Sequence, residues 1–457
     1  MSKEESIKQV LKGFKIEIED INKTVGSSVT LYTFKPVVGT RISRIRNLKD
    51  EIAVALSVPS VRVIAPMQDG SVGIEVPNEQ RRIVYAKDIL SADKYQTTDM
   101  KLPCAIGETI DGHLFMRDLA DMPHLLIAGA TGQGKSVCLN MILMSMLNKR
   151  TPQEMQLVLV DPKQVELSVY ADLYGNYLAD SIATDTDDAV ELLEQVVDLM
   201  DWRYDQLSEK GVRNISEYNK SLSEGEESMK YCVVVIDEYA DLIMTAGKSL
   251  EMMICRIAQK ARAVGVHMII ATQRPAANIV TGNIKANFPV RIAFRVASGV
   301  DSRVILEHTG AENLMGKGDM LYSDGIDDIR VQCGFGDTEY VKQFVKTLSD
   351  KDYEDIKSVL DYMPPKPPKQ KIEVSKVAEH LMCNYVRAGY KKLCSNDFRT
   401  YPFIFMGWEA KKHFNQLVAA GCIAKPEQDN WRCEAEVLVN YEWEVHLLCE
   451  AAREDGV

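Results

Sequence analysis

The chain has no long hydrophobic run and no closely spaced pair of cysteines. In 457 residues, no apolar stretch approaches the roughly 20 residues that a membrane-spanning helix needs, so we expect no membrane insertion by the chain itself. The opening residues, Met-Ser-Lys-Glu-Glu-Ser, do not resemble a secretory signal. The ten cysteines include no C-x-x-C pair and match no usual zinc module, which favours buried thiols in a reducing compartment. We therefore expect a cytoplasmic protein.

The sequence also lacks an excess of positive charge. Lys and Arg total 54 against 66 Asp and Glu, a formal net charge of −12. This balance excludes a surface coated throughout with DNA-binding charge. It leaves open a basic channel or one basic domain, because electrostatic binding depends on where the charge lies. With 46% apolar and 26% charged residues, the composition is that of a globular protein, and the length predicts about two to four domains.

What the chain does contain is a glycine-rich turn between an apolar run and the start of a helix. Residues 124–136 read His-Leu-Leu-Ile-Ala-Gly-Ala-Thr-Gly-Gln-Gly-Lys-Ser, the pattern of a P-loop, in which backbone N–H groups surround phosphate oxygens. An accidental glycine turn is the alternative, but the preceding strand and following helix favour the P-loop. Within it, Lys135 would reach the β- and γ-phosphates and Ser136 would bind Mg²⁺. We expect ATP to be bound by Gly129, Ala130, Thr131, Gly132, Gln133, Gly134, Lys135, Ser136 and Val137.

A second apolar run, Val-Val-Val-Ile, ends in Asp237 and Glu238. Four apolar residues predict a buried strand that presents both carboxylates at the edge of the sheet where α/β proteins bind ligands. There Asp237 would complete the Mg²⁺ site and Glu238 would orient the attacking water. The alternative is an ordinary strand end before a helix, where acidic residues are common. Another strand ends at Gln273, which either senses the γ-phosphate and its water or is a glutamine of the core edge.

Two further features accompany this edge. Asp161-Pro-Lys163 with Glu166 closes a third strand, and we expect these residues to surround the site without a defined role. Phosphoryl transfer also needs a cation on the developing charge, and an arginine from a neighbouring subunit would imply an oligomer. An ordinary surface ion pair is the alternative for each candidate. The candidates are Arg256, Arg262, Arg291 and Arg303.

The order of these patterns predicts an α/β protein of several regions. Strands alternate with helices within residues 101–361, which favours a mainly parallel sheet covered on both faces. A small α/β module lies within residues 1–100. Residues 362–374 contain four prolines in five positions and predict a stiff linker. Residues 375–433 read as helices and a hairpin in the order of a winged helix, and residues 434–457 form an acidic tail.

Individual elements are also predicted from periodicity. The expected strands lie at residues 29–34, 61–64, 72–76, 125–128, 157–161, 232–236, 267–272, 290–295, 320–322 and 330–334. The expected helices include residues 48–56, 137–147, 187–206 and 250–264.

With these residues in place, the chain resembles the FtsK/SpoIIIE family of DNA translocases over about residues 30–345. The resemblance is densest at residues 124–137, 160–167, 236–242, 256–262, 271–275, 281–287, 291–294 and 301–303. It implies a RecA-like P-loop NTPase core, an N-terminal α-like module and a C-terminal winged-helix-like domain of the γ type. It also implies a hexameric ring that threads double-stranded DNA and a protein partner if the ring is anchored.

The same resemblance implies roles for particular residues. Arg262 would act in trans on the ATP of a neighbouring subunit, together with the catalytic Lys135, Glu238 and Gln273. The loop bearing Arg274 and Lys285 would line the DNA channel. In the third region, two adjacent lysines either contact DNA or form an exposed helix face. These lysines are Lys411 and Lys412.

The leading hypothesis is therefore an ATP-driven motor on double-stranded DNA. One alternative is a ring ATPase of the coupling or secretion type that moves single-stranded DNA or protein. Another is a DNA-binding regulator that uses ATP only as a switch, against which Glu238 argues, because a switch needs no efficient hydrolysis residue.

Overall fold

The computed structural model describes residues 2–361, apart from 68, 224, 354 and 355, together with residues 392–393 and 435–436. The chain divides into two compact units, Met1–Met363 and Pro364–Val457. In the second unit, Lys392–Leu393 and Ala435–Glu436 form a short antiparallel pair. Apart from this pair, the predicted linker, winged helix and acidic tail lie outside the described residues, and so do Lys411 and Lys412.

The amino-terminal part of the first unit is a four-stranded antiparallel sheet with three helices. Its elements are α1 (Lys3–Gly13), β1 (Asn22–Val25), β2 (Val29–Phe34), α2 (Ile42–Asn47), α3 (Lys49–Ala55), β3 (Arg62–Ile64) and β4 (Val72–Pro77), with the strand order β1-β2-β4-β3. α1 begins with a capping box, in which the Ser2 hydroxyl accepts from the Glu5 N–H and the Glu5 carboxylate accepts from the Ser2 N–H. Ile7 and Leu11 of α1 pack with Tyr32 of β2. The predicted strands of this region are confirmed, whereas α1 and β1 were not predicted.

A nine-stranded sheet forms the centre of the first unit. After α4 (Ala86–Ser91) and α5 (Asp93–Gln96), its strands are β5 (Pro103–Thr109), β6 (Leu114–Asp118), β7 (His124–Ala128), β8 (Met155–Val160), β9 (Tyr231–Ile236), β10 (Val266–Thr272), β11 (Val290–Phe294), β12 (Asp319–Ser323) and β13 (Asp328–Cys333). The order across the sheet is β6-β5-β13-β12-β11-β7-β10-β9-β8. The neighbours β8, β9, β10, β7 and β11 pair in parallel. The neighbours β11, β12, β13, β5 and β6 pair antiparallel. The prediction of a mainly parallel sheet is right for the half that holds the P-loop and wrong for the other half, so the sheet is mixed.

Helices cover both faces of this sheet. They are α6 (Lys135–Lys149), α7 (Thr186–Lys210), α8 (Ile215–Lys220), α9 (Tyr239–Lys260), α10 (Gly282–Asn287), α11 (Gly299–Leu306) and α12 (Thr338–Ser349), with 3₁₀ helices at Ser168–Leu173 and Ala311–Asn313. Leu125 and Ile127 of β7 pack into the cluster that contains α6, whereas Leu126 packs into the cluster that contains α7 and α9, because alternate strand residues point to opposite faces. In the described part of the chain, no helix has the length and apolarity of a membrane span.

The parallel half of the sheet brings four connecting segments to one edge. Ala128 lies opposite Thr272, and Ile236 lies opposite both Ile270 and Val160. The segments that follow β7, β8, β9 and β10 therefore leave the sheet side by side at its carboxyl edge, where ligands bind in open α/β sheets.

A buried charged network joins the amino-terminal sheet to the central sheet. Arg330 on β13 donates to the two oxygens of Asp319 on β12 at 2.9 and 2.6 Å, and it also donates to Glu75 on β4. All three residues are buried. Burial alone would lower the pKa of Arg330, but Glu75 and Asp319 outweigh it and raise that pKa above its ordinary value. The guanidinium is therefore charged and paired on both sides.

Candidate active site

The P-loop connects β7 to α6, and its glycines determine its shape. Gly132 and Gly134 have φ angles of 75° and 118°, in the region that favours glycine. A Cβ at Gly129 would lie 2.5 Å from the Cβ of Phe294, and a Cβ at Gly134 would lie 2.7 Å from the nitrogen of Gly318. α6 begins directly after this turn, so its first N–H groups point toward the loop. The backbone has the form that the sequence pattern predicts.

Lys135, the first residue of α6, is bound to the end of β9. Its Nζ lies 2.6 Å from Oδ1 of Asp237 and 2.7 Å from the backbone oxygen of the same residue. Both side chains are buried, Lys135 being only 3% exposed. Burial raises the pKa of Asp237 above its ordinary value, although the charge of Lys135 opposes this effect. The two residues that the sequence assigned to phosphate and to metal are thus in direct contact.

The residues expected to bind Mg²⁺ fit that ion. Among the described residues, the buried Oδ2 of Asp237 has no hydrogen-bond partner. The hydroxyl of Ser136 donates to Oε1 of Glu166 at 2.6 Å. Mg²⁺ prefers oxygen ligands and is usually held by one or two protein groups together with substrate phosphates, and a free carboxylate oxygen and a hydroxyl are ligands of that kind.

Glu238 lies at the same edge, fully buried, with both carboxylate oxygens occupied. Oε1 accepts from the Thr272 hydroxyl at 2.7 Å, and Oε2 accepts from Lys163 Nζ at 3.1 Å. The N–H of Gln273 lies 3.1 Å from each oxygen. The Gln273 side chain accepts from the Thr131 hydroxyl of the P-loop at 2.6 Å. The structure therefore brings Glu238 and Gln273 together beside the P-loop.

The loop that follows β8 supplies two of these partners. The carboxylate of Asp161 accepts from the N–H groups of Lys163, Glu166 and Leu167 at 3.2, 3.1 and 2.9 Å. These hydrogen bonds fix the backbone of residues 161–167 so that Lys163 reaches Glu238 and Glu166 reaches Ser136. The sequence placed this loop near the site but gave it no role.

A cavity of about 620 Å³ lies beside the P-loop. Its other wall is formed by residues 81–84, 317–318, 332–333 and 335. Ile83 and Phe335 on this wall are 53% and 43% exposed, and exposed apolar side chains in a concave site suit a planar base. Sequence reasoning missed this wall because its members come from three separate segments, none of which has a motif of its own.

Arg262 lies at the opposite edge of the sheet. It is exposed and lies between α9 and the first residue of β10. β10 has seven residues, so its two ends are about 20 Å apart, and Arg262 does not reach the P-loop of its own chain. Two other candidates are paired within the chain, Arg256 with Asp201 at 2.6 Å and Arg291 with Glu307 at 3.0 Å.

Two buried histidines lie near Arg262 at the amino ends of β7 and β10. Nδ1 of His124 accepts from the Met268 N–H at 3.1 Å, and Nδ1 of His267 lies 3.1 Å from the backbone oxygen of Pro123. Within the described residues, neither Nε2 has a partner. Burial lowers the pKa of His124 to about 3 and that of His267 to about 4, so both imidazoles are neutral near pH 7.

Arg274 is exposed at the carboxyl edge, directly after Gln273. Its N–H donates to the Thr272 hydroxyl at 3.1 Å. Its guanidinium donates to Sδ of Met244 at 3.6 Å, and a thioether is only a weak acceptor. The side chain is thus available to a stronger acceptor such as a phosphate.

Lys285 lies in α10 rather than in a loop, which corrects the expectation that one loop presents both Arg274 and Lys285. The Thr281 hydroxyl caps this helix by accepting from the Ile284 N–H at 3.3 Å. Nζ of Lys285 lies 3.5 Å from Oε1 of Glu307. The two basic residues therefore lie at different points along the connection from β10 to β11.

Two family models match the first unit. The model of the FtsK alpha domain matches residues 1–78, and the model of the FtsK/SpoIIIE family matches residues 86–277. The chain belongs to the FtsK/SpoIIIE family. The boundary between the two matches lies in the segment that forms one wall of the cavity beside the P-loop.

Several curated FtsK/SpoIIIE relatives carry the name DNA translocase FtsK. The protein of Caldanaerobacter subterraneus subsp. tengcongensis is 42% identical over 363 residues, covering 78% of this chain and 51% of its own length. That of Chlorobaculum tepidum is 45% identical over 337 residues, covering 71% and 42%, and that of Clostridium tetani is 43% identical over 365 residues, covering 78% and 49%. The chain spans about half the length of these relatives or less.

Solved structures show the same fold. The conjugation coupling protein TcpA of pCW3, in its monomer form with ATPγS, has a TM-score of 0.53 at 27% identity, over 76% of this chain and 99% of that chain. The cytoplasmic domain of the Type VII secretion ATPase EccC of Thermomonospora curvata has a TM-score of 0.51 at 22% identity, over 62% of this chain and 36% of that chain. The FtsK/SpoIIIE chain thus has the fold of P-loop ATPases with a mixed central sheet.

Proposed function

We propose that the chain is an ATP-hydrolysing motor that translocates double-stranded DNA as a hexameric ring. The observation that carries this proposal is the contact between Lys135 and Asp237 beside the buried Glu238, in a chain of the FtsK/SpoIIIE family. Relatives named DNA translocase FtsK support DNA as the partner.

The site suits in-line attack of water on the γ-phosphate of ATP. The water oxygen forms a bond to the γ-phosphorus while the bond to the β,γ-bridging oxygen breaks, and ADP leaves with the bonding electrons. Glu238 orients this water and accepts its proton, and Gln273 contacts the γ-phosphate or the water. Ser136 and Asp237 would hold Mg²⁺, which would supply positive charge to the phosphate oxygens.

The cation for the transition state comes from a neighbouring subunit. Arg262 lies about 20 Å from the carboxyl edge of its own sheet, by the length of β10. An arginine at that position acts only if a second copy presents it to the P-loop of the first. This geometry supports a ring, because a head-to-tail interface that closes on itself places every Arg262 beside the next P-loop.

DNA contact is proposed at Arg274 and Lys285, with Lys411 and Lys412 as a further pair if the helix predicted there faces DNA. The exposed guanidinium of Arg274 has only a thioether partner. Arginine and lysine in a ring lumen contact phosphates without reading bases, so this binding is independent of sequence and weakens with salt. The proposed location is the cytoplasm, with a partner protein for any anchoring, and the proposed domain limits are 1–100, 101–361, 362–374, 375–433 and 434–457.

ATP turnover with and without long duplex DNA tests this function, together with displacement of a strand bound as a triplex. We expect duplex DNA to stimulate turnover, the triplex strand to be displaced, and Lys135→Ala to abolish both activities. Measurement of the native mass in the presence of ATP gives the number of subunits in the assembly. An ATPase that ignores duplex DNA and displaces nothing would contradict the proposal.

The likeness to a protein named as a conjugation coupling protein favours one second candidate. In that role the motor would move single-stranded DNA or protein through a membrane apparatus. Stimulation by single strands in preference to duplex, or by a protein substrate alone, would support this candidate over the first.

A further inference from the structure

Both carboxylate oxygens of Glu238 accept hydrogen bonds from other residues of the chain. Two donors come from the end of β10: the Thr272 hydroxyl donates to Oε1, and the single N–H of Gln273 is shared between the two oxygens, so that β10 makes three of the four contacts to the carboxylate. The fourth comes from Lys163. A carboxylate that orients and deprotonates a water must offer it a lone pair within hydrogen-bonding distance, so these three donors compete with the water for the buried carboxylate of Glu238.

Lys163 is a charged partner on a loop of fixed geometry. Its Nζ lies 3.1 Å from Glu238 and 3.4 Å from Asp241. Burial alone would lower the pKa of Lys163, but the hydrogen bond and charge of Glu238 outweigh it, with a contribution from Asp241, and raise that pKa. The lysine is therefore charged, and hydrogen bonds between charged groups are roughly twice as strong as neutral ones.

The Thr272 hydroxyl forms a connection between Glu238 and the residue proposed to contact DNA. It donates to Oε1 of Glu238 at 2.7 Å and accepts from the N–H of Arg274 at 3.1 Å. Gln273 lies between them in the chain and donates to the same carboxylate. A phosphate bound by the Arg274 side chain would therefore act on the same backbone that holds three of the four contacts to Glu238.

We propose that Lys163 restrains Glu238 in the resting motor, and that the Thr272 hydroxyl transmits DNA contact at Arg274 to Glu238 so that an oxygen becomes free for water. This inference rests on the proposed function, since it explains how DNA raises ATP turnover at the same site. Lys163 and Thr272 are positioning residues, because both act through Glu238.

The first test replaces Lys163 by Met, which keeps the length of the side chain and removes the charge. We expect turnover without DNA to rise by roughly ten- to a hundredfold, which is the effect of losing about one charge-assisted hydrogen bond. The DNA-stimulated rate changes by less than about twofold, so the stimulation ratio falls. Lys163→Arg retains the cation and restores the ratio. Lys210→Met, which removes a lysine paired with Glu226 at 2.7 Å, is the matched control and leaves the ratio unchanged.

The second test compares Thr272→Val with Thr272→Ser. Valine keeps the shape and loses the hydroxyl, whereas serine keeps the hydroxyl. We expect Thr272→Val to lose most of the stimulation by duplex DNA while its affinity for that DNA, measured by fluorescence anisotropy, stays that of the parent protein. Thr272→Ser retains the stimulation. Thermal melting shows whether Lys163→Met folds. If it does not, the Thr272 variants still test the inference.

The outcomes separate this inference from the proposed function. A parent protein that duplex DNA does not stimulate contradicts the proposed function and the DNA step of the inference with it. A stimulated parent protein whose ratio is unchanged by Lys163→Met, and whose Thr272→Val variant responds like Thr272→Ser, overturns the inference alone. A fall in turnover without DNA on Lys163→Met also overturns it, because the lysine would then align Glu238 for attack rather than restrain it.

Discussion

Lys135 donates to both the carboxylate and the backbone oxygen of Asp237, at 2.6 and 2.7 Å. The lysine expected to reach the phosphates and the carboxylate expected to reach Mg²⁺ thus neutralise each other across the end of β10, which lies between β7 and β9 in the sheet. We expect a γ-phosphate with its Mg²⁺ to separate the pair, because each member would gain a new partner of opposite charge. ATP binding would then exchange one buried ion pair for two contacts to the ligand.

Lys135→Ala should abolish ATP turnover and also destabilise the protein. Removing the lysine leaves Asp237 buried without its counter-ion, which typically costs about 3–5 kcal/mol. Urea denaturation measures the loss of free energy of unfolding. In the double variant Lys135→Ala with Asp237→Asn, the uncompensated charge is gone and we expect much of the stability to return, still without turnover. Equal stability of the single and double variants would show that the pair contributes nothing to the fold.

Glu238→Gln should bind ATP and fail to hydrolyse it. The amide retains the shape of the carboxylate but does not accept the proton of the water, and loss of such a group lowers turnover by about 10²- to 10⁴-fold. Steady-state turnover and the binding of a fluorescent ATP analogue measure the two properties. Glu226→Gln, a change at an exposed carboxylate, is the control. Retention of more than a tenth of the parent rate would remove Glu238 from the proposed role.

Mixing two inactive variants should restore activity if Arg262 acts between subunits. Arg262→Ala supplies an intact P-loop and Lys135→Ala supplies an intact Arg262, so about one interface in four of a randomly mixed ring joins the two intact halves. We expect turnover to recover on mixing and to remain absent in each variant alone.

Arg256→Ala is the matched control for that experiment, because Arg256 is paired with Asp201 in its own chain, and it should keep its activity. If the mixture stays as inactive as its components, Arg262 does not act in trans.

Stability should fall on acidification because of His124 and His267. Their pKa values are about 3 and about 4 in the folded protein, against an ordinary value of 6.5 for histidine. Between about pH 6 and pH 4 the unfolded state therefore binds protons that the folded state does not, so stability is complete above pH 6.5 and is lost as the pH falls. Each histidine contributes about 1.4 kcal/mol per pH unit in this window.

Urea denaturation at pH 7, 6 and 5 measures this slope. His267→Gln should reduce the slope by about 1.4 kcal/mol per pH unit, whatever its effect on stability at pH 7. His113→Gln, at an exposed histidine, should leave the slope unchanged. The same slope in both variants would show that another group controls acid unfolding.

Much of the site could be predicted from the sequence because its parts follow strands with strong patterns. Gly129, Asp237 and Gln273 each come directly after a strand that is mostly apolar, Lys135 closes the glycine-rich turn after the first of these strands, and parallel strands bring such positions to one edge. What the sequence does not contain is the pairing of side chains across that edge. Nothing in Asp161-Pro-Lys163 indicates that the lysine reaches Glu238, since the contact depends on three N–H groups bound by Asp161.

The missed elements have identifiable causes. β5 begins at Pro103, and its register shifts between Ala105 and Gly107, so the alternation that marks a strand is broken. A Cβ at Gly107 would lie 2.1 Å from the backbone oxygen of Gln332, which shows that glycine there permits a close approach of strands rather than a turn. By contrast, α1 had a usable signal, because Ser2 and Glu5 have the spacing of a capping box.

Arg330 joins the amino-terminal sheet, which one family model matches, to the central sheet, which the other matches in part. It is held by Asp319 of the central sheet and by Glu75 of the amino-terminal sheet. A chain that begins after residue 80 would lack Glu75. Arg330 would then keep only Asp319 of these two partners and would be open to solvent on the side where Glu75 had been. The paired charges couple the amino-terminal sheet to the central sheet, so we expect the two sheets to move together rather than as bodies joined by a flexible tether.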